Sequence, residues 1–228
     1  MPTAQRNVRP RKTKAKRGKG RPPRNLVGRD SIIRATRELL KHKAPSELTR
    51  VNIAAYCGID PGLIRYYFGT TDALLTEVTT QIVEEMHAHI NAAVAAGQSA
   101  EEKMRKRIHA SLEMHEQNPH LNDLIIQKIL GGTRVGARRA RSEMVEGSIA
   151  TLTAVINEGV KRGDFRPVDP RLLHIALIGM SEFFFTGHAV VQHLFGRPND
   201  AQLIEEYGRF IAELILHGIS SPENRAKS

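Results

Sequence analysis

Three neighbouring side chains, Arg65, Tyr66 and Tyr67, carry the hydrogen-bonding groups needed to recognise a nucleic acid. The Arg65 guanidinium can donate two parallel hydrogen bonds to a guanine edge, or it can pair with a phosphate. The tyrosines add hydroxyl groups and flat rings. With Leu63 they fall within a turn and a half of a predicted helix, so polar and aromatic groups cluster on one short element. This clustering favours binding to DNA.

The surrounding sequence predicts two short helices joined by a tight turn. Thr49 can cap the first helix, because its hydroxyl can accept a hydrogen bond from an unpaired first-turn N–H. Gly58 follows where a left-handed residue can end that helix without steric cost. Asp60 and Pro61 can begin the second helix as its N-cap and first residue. Two helices around a glycine-containing turn are typical of the helix-turn-helix DNA-binding unit.

The flanking residues support this interpretation over a helical hairpin inside any all-α core. Upstream, Asp30 or Ser31 can cap a helix whose apolar residues follow one face of a 3.6-residue period. Downstream, Gly69 and Thr70 precede a further predicted helix. The order is therefore a supporting helix, the hairpin and a long connecting helix.

Residues 29–76 resemble the N-terminal domain of the TetR family of bacterial transcription repressors. The matching segments are RDSIIRATRELL and LTRVNIAAYCGIDPGLIRYYFGTTDALL. Beyond them the resemblance is only architectural. The family's pattern has a threonine cap, an isoleucine–alanine pair, a glycine turn, an aromatic-rich recognition helix and a second cap. Here these are Thr49, Ile53-Ala54, Gly58, Tyr66-Tyr67-Phe68 and Thr70.

Two residues depart from the family's usual pattern. Arg65 stands where the family often has tyrosine, so a change in operator preference is expected. Thr71 stands where the family often has lysine, and its neutral hydroxyl cannot form the phosphate ion pair that the family pattern implies.

The resemblance implies double-stranded DNA as a partner, contacted by two groups of residues. Arg65 is the best candidate for reading a base. The residues predicted to contact phosphates are Thr49, Arg50, Tyr67, Thr70 and Thr71, and those predicted to face the groove are Pro61, Gly62, Leu63, Arg65 and Tyr66.

The N-terminal segment carries nearly all of the excess positive charge. Eleven of the 34 lysines and arginines lie in residues 1–29, which contain no acidic residue. Residues 30–228 therefore hold 23 basic and 24 acidic residues, and the formal charge of +10 belongs to this segment. A segment so charged, with four prolines and few large apolar residues, cannot bury enough surface to order itself. We expect residues 1–28 to form a disordered basic tail.

A basic arm next to a helix-turn-helix can lie along phosphates or enter the minor groove. Residues 16–22 also resemble the Gly-Arg-Pro core of AT-hooks, although such a core occurs only once. We favour a solvated tail that adds phosphate affinity. It does not resemble a secretory signal, because no apolar segment follows the charges.

From residue 71 onward the apolar residues repeat with a helical period and show no convincing strand alternation. Together with the three N-terminal helices this predicts an all-α fold of about nine helices, the number that the resemblance also implies. We expect a DNA-binding domain at residues 29–75, a larger ligand-binding and dimerisation domain at 76–219, and a C-terminal tail at 220–228. The predicted helices of the larger part cover about residues 74–94, 100–117, 121–130, 138–162, 170 onward and 200–218.

Residues 172–191 are mostly apolar and long enough to suggest a membrane span. However, His174, Glu182 and His188 interrupt them, and an ionisable residue at bilayer depth costs about 2.5 kcal/mol or more. Burial between the core and a partner subunit explains such a helix better. With the last helix it would form the four-helix homodimer interface that the resemblance implies. The predicted interface residues are Leu173, Leu177, Phe184, Leu203, Tyr207, Phe210, Ile211 and Leu214.

Residues of the kind that line an adaptable ligand pocket occur between positions 80 and 190. A small-molecule effector bound among them could move the long helix that leaves the DNA-binding domain, and so release the DNA. Each such residue, taken singly, is more often part of the core or the surface. The candidates are Met86, His87, His109, Met114, His115, Ile126, Met180, Phe183 and Phe184.

No metal, cofactor or catalytic site is predicted. His87 and His89 diverge on a helix, and no acid or cysteine completes a set at metal-ligand spacing. Residues 131–136 are glycine-rich but lack the P-loop ending and a preceding strand. No Ser-His-Asp or paired-carboxylate pattern emerges, so we expect no enzyme activity.

The single cysteine, Cys57, excludes an intramolecular disulfide and suits a reducing cytoplasm. The sequence therefore favours a cytoplasmic, nucleoid-associated transcription regulator, most often a repressor in the family it resembles, released from a palindromic operator by an effector. A non-sensing architectural DNA-binding protein of the same fold is the alternative.

Overall fold

The computed structural model describes residues 28–131 and 135–222, with the side chains of residues 135–140 excepted. The described residues are almost entirely helical and contain no strand, apart from one isolated bridge between Phe165 and Ser220. The all-α prediction is confirmed. The helices are α1 (Arg29–Leu40), α2 (Arg50–Cys57), α3 (Pro61–Phe68), α4 (Thr71–Ala95), α5 (Ala100–Gln117), α6 (Leu121–Leu124), α7 (Val135–Arg162), α8 (Pro170–Thr186), α9 (His188–Phe195) and α10 (Ala201–Ile219).

Two short segments complete the helical content. A 3₁₀ turn covers Pro45–Glu47, and α6 continues directly into a π-helical turn at Ile125–Leu130. The predicted basic tail, residues 132–134 of the glycine-rich segment and most of the predicted C-terminal tail lie outside the described residues.

The described residues form ten α-helices where nine are predicted, because the apolar stretch 172–191 is divided between α8 and α9. The break falls at Gly187, and the two helices meet at 76°. In the described part of the chain, no single helix is both long and apolar enough to cross a membrane. Only α8 and α9 taken together meet that test, by length and composition alone.

The local signals around the hairpin produce the predicted caps. The Thr49 hydroxyl accepts a hydrogen bond from the Asn52 N–H at 3.3 Å, and Gly58 ends α2 in the left-handed region at φ 65°. The Asp60 carboxylate accepts from the Gly62 N–H at 2.7 Å, directly before Pro61 as the first residue of α3. Thr70 caps α4 in the same way.

The predicted cap of α1 is wrong. Gly28 precedes the helix without a side-chain cap, and Asp30 and Ser31 already lie in its first turn. An acidic residue in a first turn still complements the helix dipole, so Asp30 favours the helix without capping it.

Two apolar cores share α4. The first joins α1, α2, α3 and the N-terminal part of α4 around the fully buried Ile53 and Ile64. The second lies among the C-terminal part of α4 and helices α5, α7, α8 and α10. Leu121 and Ile129 belong to the first core, so residues 121–130 pack on this core. We call α1, α2, α3 and the start of α4 the reading head. The predicted domain boundary between residues 75 and 76 stays a prediction.

Candidate DNA interface and ligand cavity

Helix α3 has one buried and one exposed face. Ile64 is fully buried, which fixes the rotation of this eight-residue helix about its axis. Arg65, Tyr66 and Tyr67 are exposed, Tyr66 to 79%. The two tyrosine rings contact edge to face, with centroids 5.1 Å apart. The Arg65 side chain has no hydrogen bond or ion pair to any described residue, so all its donors can face a ligand.

The other predicted DNA contacts lie at helix N-termini. The first N–H groups of a helix lack intrahelical acceptors and carry partial positive charge, so they favour phosphate oxygens. Thr49 and Arg50 begin α2, residues 61–63 begin α3, and Thr70 and Thr71 begin α4.

Eight of the ten predicted DNA-contacting residues are exposed, and only Leu63 and Thr71 are partly buried. The Thr49 and Thr70 hydroxyls accept the backbone hydrogen bonds of their caps. Each hydroxyl keeps its own O–H to donate, so capping and a phosphate contact are compatible. Contact with an operator stays a prediction for all ten.

Ion pairs tie the reading head to the long helix α4. Arg29 pairs with Glu77, and its guanidinium lies 5.1 Å from the ring centroid of Phe68 at the end of α3. Arg37 donates two hydrogen bonds to the Glu85 carboxylate, at 2.5 and 2.6 Å. These contacts join α1 to α4 at two levels, so the head should follow the direction of α4.

A cavity of about 360 Å³ lies among α4, α5, α7, α8 and the segment 125–130. Its lining is mostly isoleucine, leucine, methionine and valine. Ligand clefts commonly measure about 300–1,000 Å³, so this volume suits a compact ligand. The polar and charged residues of the lining are Arg107, Ser111, His115, Ser148, His174, Ser181 and Glu182.

The structure brings only Met86 and His115 of the nine predicted ligand residues to the cavity wall. His87 lies behind the wall, where its Nε2 is 2.9 Å from the Ser148 hydroxyl. The remaining six lie elsewhere. His109 lies against Gly208 of α10, Met114 lines a separate surface groove, Ile126 and Phe183 are exposed, Phe184 is buried against Tyr207, and the Met180 carbonyl accepts from the Tyr207 hydroxyl.

The sequence analysis missed the most polar residue of the cavity, Arg107. Its side chain is 7% exposed, and it interrupts the buried stripe that Met104 and Ile108 form on α5. A basic residue inside an apolar stripe is a readable signal, because such a residue is seldom buried without a partner. In the sequence, His174 and Glu182 stand out only as obstacles to a membrane span.

Burial shifts the ionisation of the cavity's titratable groups. It lowers the pKa of His87 and His174, and the charge of Arg107 lowers both further. Burial also lowers the pKa of His115, partly offset by its hydrogen bond to the Ser111 carbonyl. The pKa of Glu182 is raised by burial. These imidazoles are therefore held toward their neutral forms. Burial also lowers the pKa of Arg107, but a guanidinium is so strong a base that Arg107 keeps its charge.

The predicted dimer residues divide into two groups. Leu173, Leu177, Phe184, Leu203 and Ile211 are buried in the chain's own core, and Tyr207 is partly buried there. Phe210 and Leu214 are 61% and 53% exposed. The exposed apolar residues of α8–α10, which we call the α8–α10 apolar surface, are Leu172, Ile175, Ile178, Phe183, Val190, Leu194, Phe195, Phe210 and Leu214.

One segment joins the cavity to the start of α4. Ile125 and Leu130 line the cavity at the two ends of the π-helical turn. Between them Lys128 donates to the Asp72 carboxylate at 2.8 Å, in the first turn of α4. Single π-helical turns occur often at functional sites. A change in the cavity wall therefore has a short path to the reading head.

Among residues 28–131 and 135–222, no group of three or more histidine, cysteine, aspartate or glutamate side chains could hold a metal ion. The expectation that the protein uses no metal stays a prediction.

Two family models match the chain. One is described as bacterial regulatory proteins, tetR family, and matches residues 32–78. The other is described as tetracyclin repressor-like, C-terminal domain, and matches residues 97–225, more than half of the chain. No curated protein matches the sequence.

Solved structures of the same fold are similar over most of their length. The TetR family regulator PfmR from Thermus thermophilus is 20% identical, with a TM-score of 0.64, over 82% of this chain and 97% of PfmR. FadR from Bacillus subtilis, in complex with stearoyl-CoA, is 18% identical, with a TM-score of 0.64 and the same coverage. AibR, in complex with isovaleryl coenzyme A and operator DNA, is 13% identical, with a TM-score of 0.65, over 81% of this chain and 96% of AibR.

Proposed function

This chain belongs to the TetR family of bacterial regulatory proteins, and we propose that it is a homodimeric repressor that a small molecule releases from a palindromic operator. The observation that carries the proposal is the continuity of α4. Its first turn follows the exposed recognition helix, and Met86 and Ile90 farther along it line the cavity. At 25 residues α4 is about 38 Å long. A small tilt of α4 at the cavity would therefore move the reading head by a larger distance.

DNA recognition is supported by the geometry of α3. The buried Ile64 anchors the helix, and Arg65 and Tyr66 project from the opposite face, where no described residue offers them a polar partner. A two-fold dimer would read two half-sites spaced by whole helical turns, about 10 bp or a multiple. Any motion that separates the two heads would then mismatch the spacing and release the DNA.

The effector response is supported by the segment 125–130. An occupant of the cavity would press on Ile125 and Leu130, and the Lys128–Asp72 ion pair would pass the shift to the start of α4. FadR and AibR were solved with acyl-CoA molecules bound, and AibR with operator DNA as well. Proteins of this fold therefore include ligand-bound and operator-bound examples.

Dimerisation is supported by the α8–α10 apolar surface, since nine large apolar side chains left exposed on three helices favour a partner that removes them from water. Ile175 and Ile178 belong both to this surface and to the cavity wall. Effector binding and dimer geometry would thus share side chains. We also propose that the protein is not an enzyme. A cytoplasmic, nucleoid-associated location follows from the proposed function.

Selection of bound duplexes from a random DNA pool by the full-length protein tests the proposal. It should be done at about 150 mM salt, where phosphate contacts alone give weak binding. One palindromic motif with fixed half-site spacing is the expected result. Recovery of only featureless or A·T-rich DNA would favour the architectural alternative, in which the basic N-terminal segment supplies the affinity.

A further inference from the structure

Arg107 is a buried cation that has no partner among the described residues. Only 7% of the residue is exposed, and it lines the cavity. Within the described residues it has no hydrogen bond and no ion pair, and it is absent from the surface ion pairs that its neighbours Arg105 and Lys106 form on the same helix. Buried charges in proteins are normally paired, because taking an unpaired ion out of water is costly.

The groups around Arg107 do not neutralise it. His87 and His174 are close enough for the charge of Arg107 to lower their pKa, which holds them neutral. The cavity's carboxylate, Glu182, is affected by burial alone. It lies eight residues after His174 on α8, about 12 Å along the helix axis. Arg107 and Glu182 therefore belong to different parts of the cavity.

One buried polar atom of the cavity wall lacks a hydrogen-bond partner in the described structure. The Nδ1 atom of His174 is buried and makes no hydrogen bond in the described structure. Buried polar atoms are usually hydrogen-bonded, and exceptions call for an explanation such as a missing ligand. Arg107 and His174 together supply a fixed positive charge and a neutral imidazole at one end of an apolar cavity.

We propose that this cavity binds a medium-length monocarboxylic acid, with its carboxylate on Arg107 and its apolar chain against the isoleucine and methionine side chains. This inference rests on the proposed effector-responsive function and specifies its ligand class. A carboxylate matches a guanidinium fork in charge and in shape. The carboxylate offers an acceptor to the neutral imidazole of His174 in the tautomer that carries a proton on Nδ1.

The same argument separates free acids from coenzyme A thioesters. A thioester carbonyl has no charge to pair with Arg107, and a cavity of about 360 Å³ cannot enclose the coenzyme A portion together with the acyl chain. The free acid is therefore the expected ligand here, even though FadR and AibR were solved with acyl-CoA molecules.

Isothermal titration calorimetry of the full-length, DNA-free protein with three probes tests the proposal. The probes are octanoic acid, octanamide and octanoyl coenzyme A, which share one acyl chain. Octanoic acid suits a cavity that extends about eight residues along α5, from Arg107 to His115, or roughly 12 Å. We expect octanoic acid to bind at least tenfold more tightly than the other two. Absence of octanoic acid binding at millimolar concentration, or equal binding of octanamide, would overturn the proposal.

Three variants assign the effect to Arg107. Arg107→Met should weaken octanoic acid binding at least tenfold and leave octanamide binding unchanged, while Arg107→Lys should retain part of the preference for the acid. Arg105→Met removes an exposed arginine two residues away and should change nothing. Thermal melts without ligand should show Arg107→Met at least as stable as the wild type, because it removes an unpaired buried charge. Full octanoic acid binding by a folded Arg107→Met variant would contradict the assignment.

Operator binding measured with the same probes distinguishes this inference from the function on which it rests. Arg107-dependent binding of octanoic acid without any change in operator affinity would support the ligand class and contradict the effector-responsive function. Operator release by octanoyl coenzyme A but not by octanoic acid would contradict the ligand class and support the effector-responsive function.

Discussion

Arg65 and Arg107 have no hydrogen-bond or ion-pair partner among the described residues, and they differ in burial and therefore in role. Arg65 is exposed on α3, where water accepts hydrogen bonds from its guanidinium until a bound molecule replaces that water. Arg107 is buried in the cavity wall, where an unpaired charge is costly. At the residue scale, the same guanidinium chemistry thus suits a groove in one place and a small anion in the other.

Arg65→Ala should weaken operator binding by about 1–3 kcal/mol and relax discrimination at one base position, because a bidentate contact to a base edge is worth that much. Fluorescence anisotropy with the operator and its single-base variants, at fixed salt, measures both effects.

Arg162→Ala is the matched control for Arg65→Ala. It removes an exposed arginine at the end of α7 whose carboxylate partner, Glu158, is 3.6 Å away. Operator affinity should not change. If Arg65→Ala weakens binding to unrelated DNA sequences as much as binding to the operator, Arg65 contacts phosphates and does not read a base.

At the element scale, the segment 125–130 lies between the first core and the cavity, and Lys128 joins it to α4. The segment contributes Ile129 to the core of the reading head and Ile125 to the cavity wall. Its π-helical turn changes the register of its hydrogen bonds, as in the bond from the Gly131 N–H to the Ile126 carbonyl at 2.8 Å. A segment that belongs to both sites can transmit motion between them.

Lys128→Met should leave the free energy of unfolding within about 1 kcal/mol of the wild type, since its partner Asp72 is half exposed. We expect faster hydrogen exchange in the first turn of α4, and weaker discrimination between operators whose half-site spacing differs by one base pair. Lys106→Met, which removes the exposed pair with Glu102 on α5, is the control. Unchanged exchange and unchanged spacing discrimination would mean that this ion pair does not join the segment to α4.

At the scale of the whole molecule, residues 28–131 and 135–222 leave the α8–α10 apolar surface uncovered. Phe210 and Leu214 are exposed on α10, while Ile211 and Ile215 of the same helix are buried in the second core. One face of α10 therefore packs inward, and contact with a second molecule would remove the other face from water.

Leu214→Glu should raise the dimer dissociation constant about 100-fold or more, because symmetry places two unpaired carboxylates in one interface and such burial costs several kcal/mol. Sedimentation equilibrium measures the change. Ile126→Glu, at an exposed apolar position outside the α8–α10 apolar surface, should remain dimeric. A fully dimeric Leu214→Glu protein would place the interface elsewhere.

Deleting residues 1–28 should flatten the salt dependence of DNA binding, since each lost phosphate contact removes about 0.9 from the slope of log affinity against log salt. A variant with a glycine–serine segment of equal length separates charge from length, and it should behave like the deletion. A wild-type slope in both variants would mean that this segment makes no phosphate contact.

Local signals predicted the reading head well. The caps at Thr49, Asp60 and Thr70 and the left-handed Gly58 depend on residues within three positions of each other, so a short window of sequence contains them. Only two of the nine predicted ligand residues line the cavity, because its wall comes from four helices and a π-helical turn that are distant in sequence. A helical period shows that a residue lies on an apolar face, but it does not show which neighbouring helix that face meets.

The sequence by itself determined the all-α class, the helix-turn-helix and the position of the excess charge, because these follow from composition and short-range hydrogen bonding. Only the tertiary structure decided that Leu203 and Ile211 are core residues while Phe210 and Leu214 are exposed, that the helix breaks at Gly187, and that Arg107 lines a cavity. Burial is the sum of contacts from helices that pack together only in the folded chain, and no local period encodes that sum.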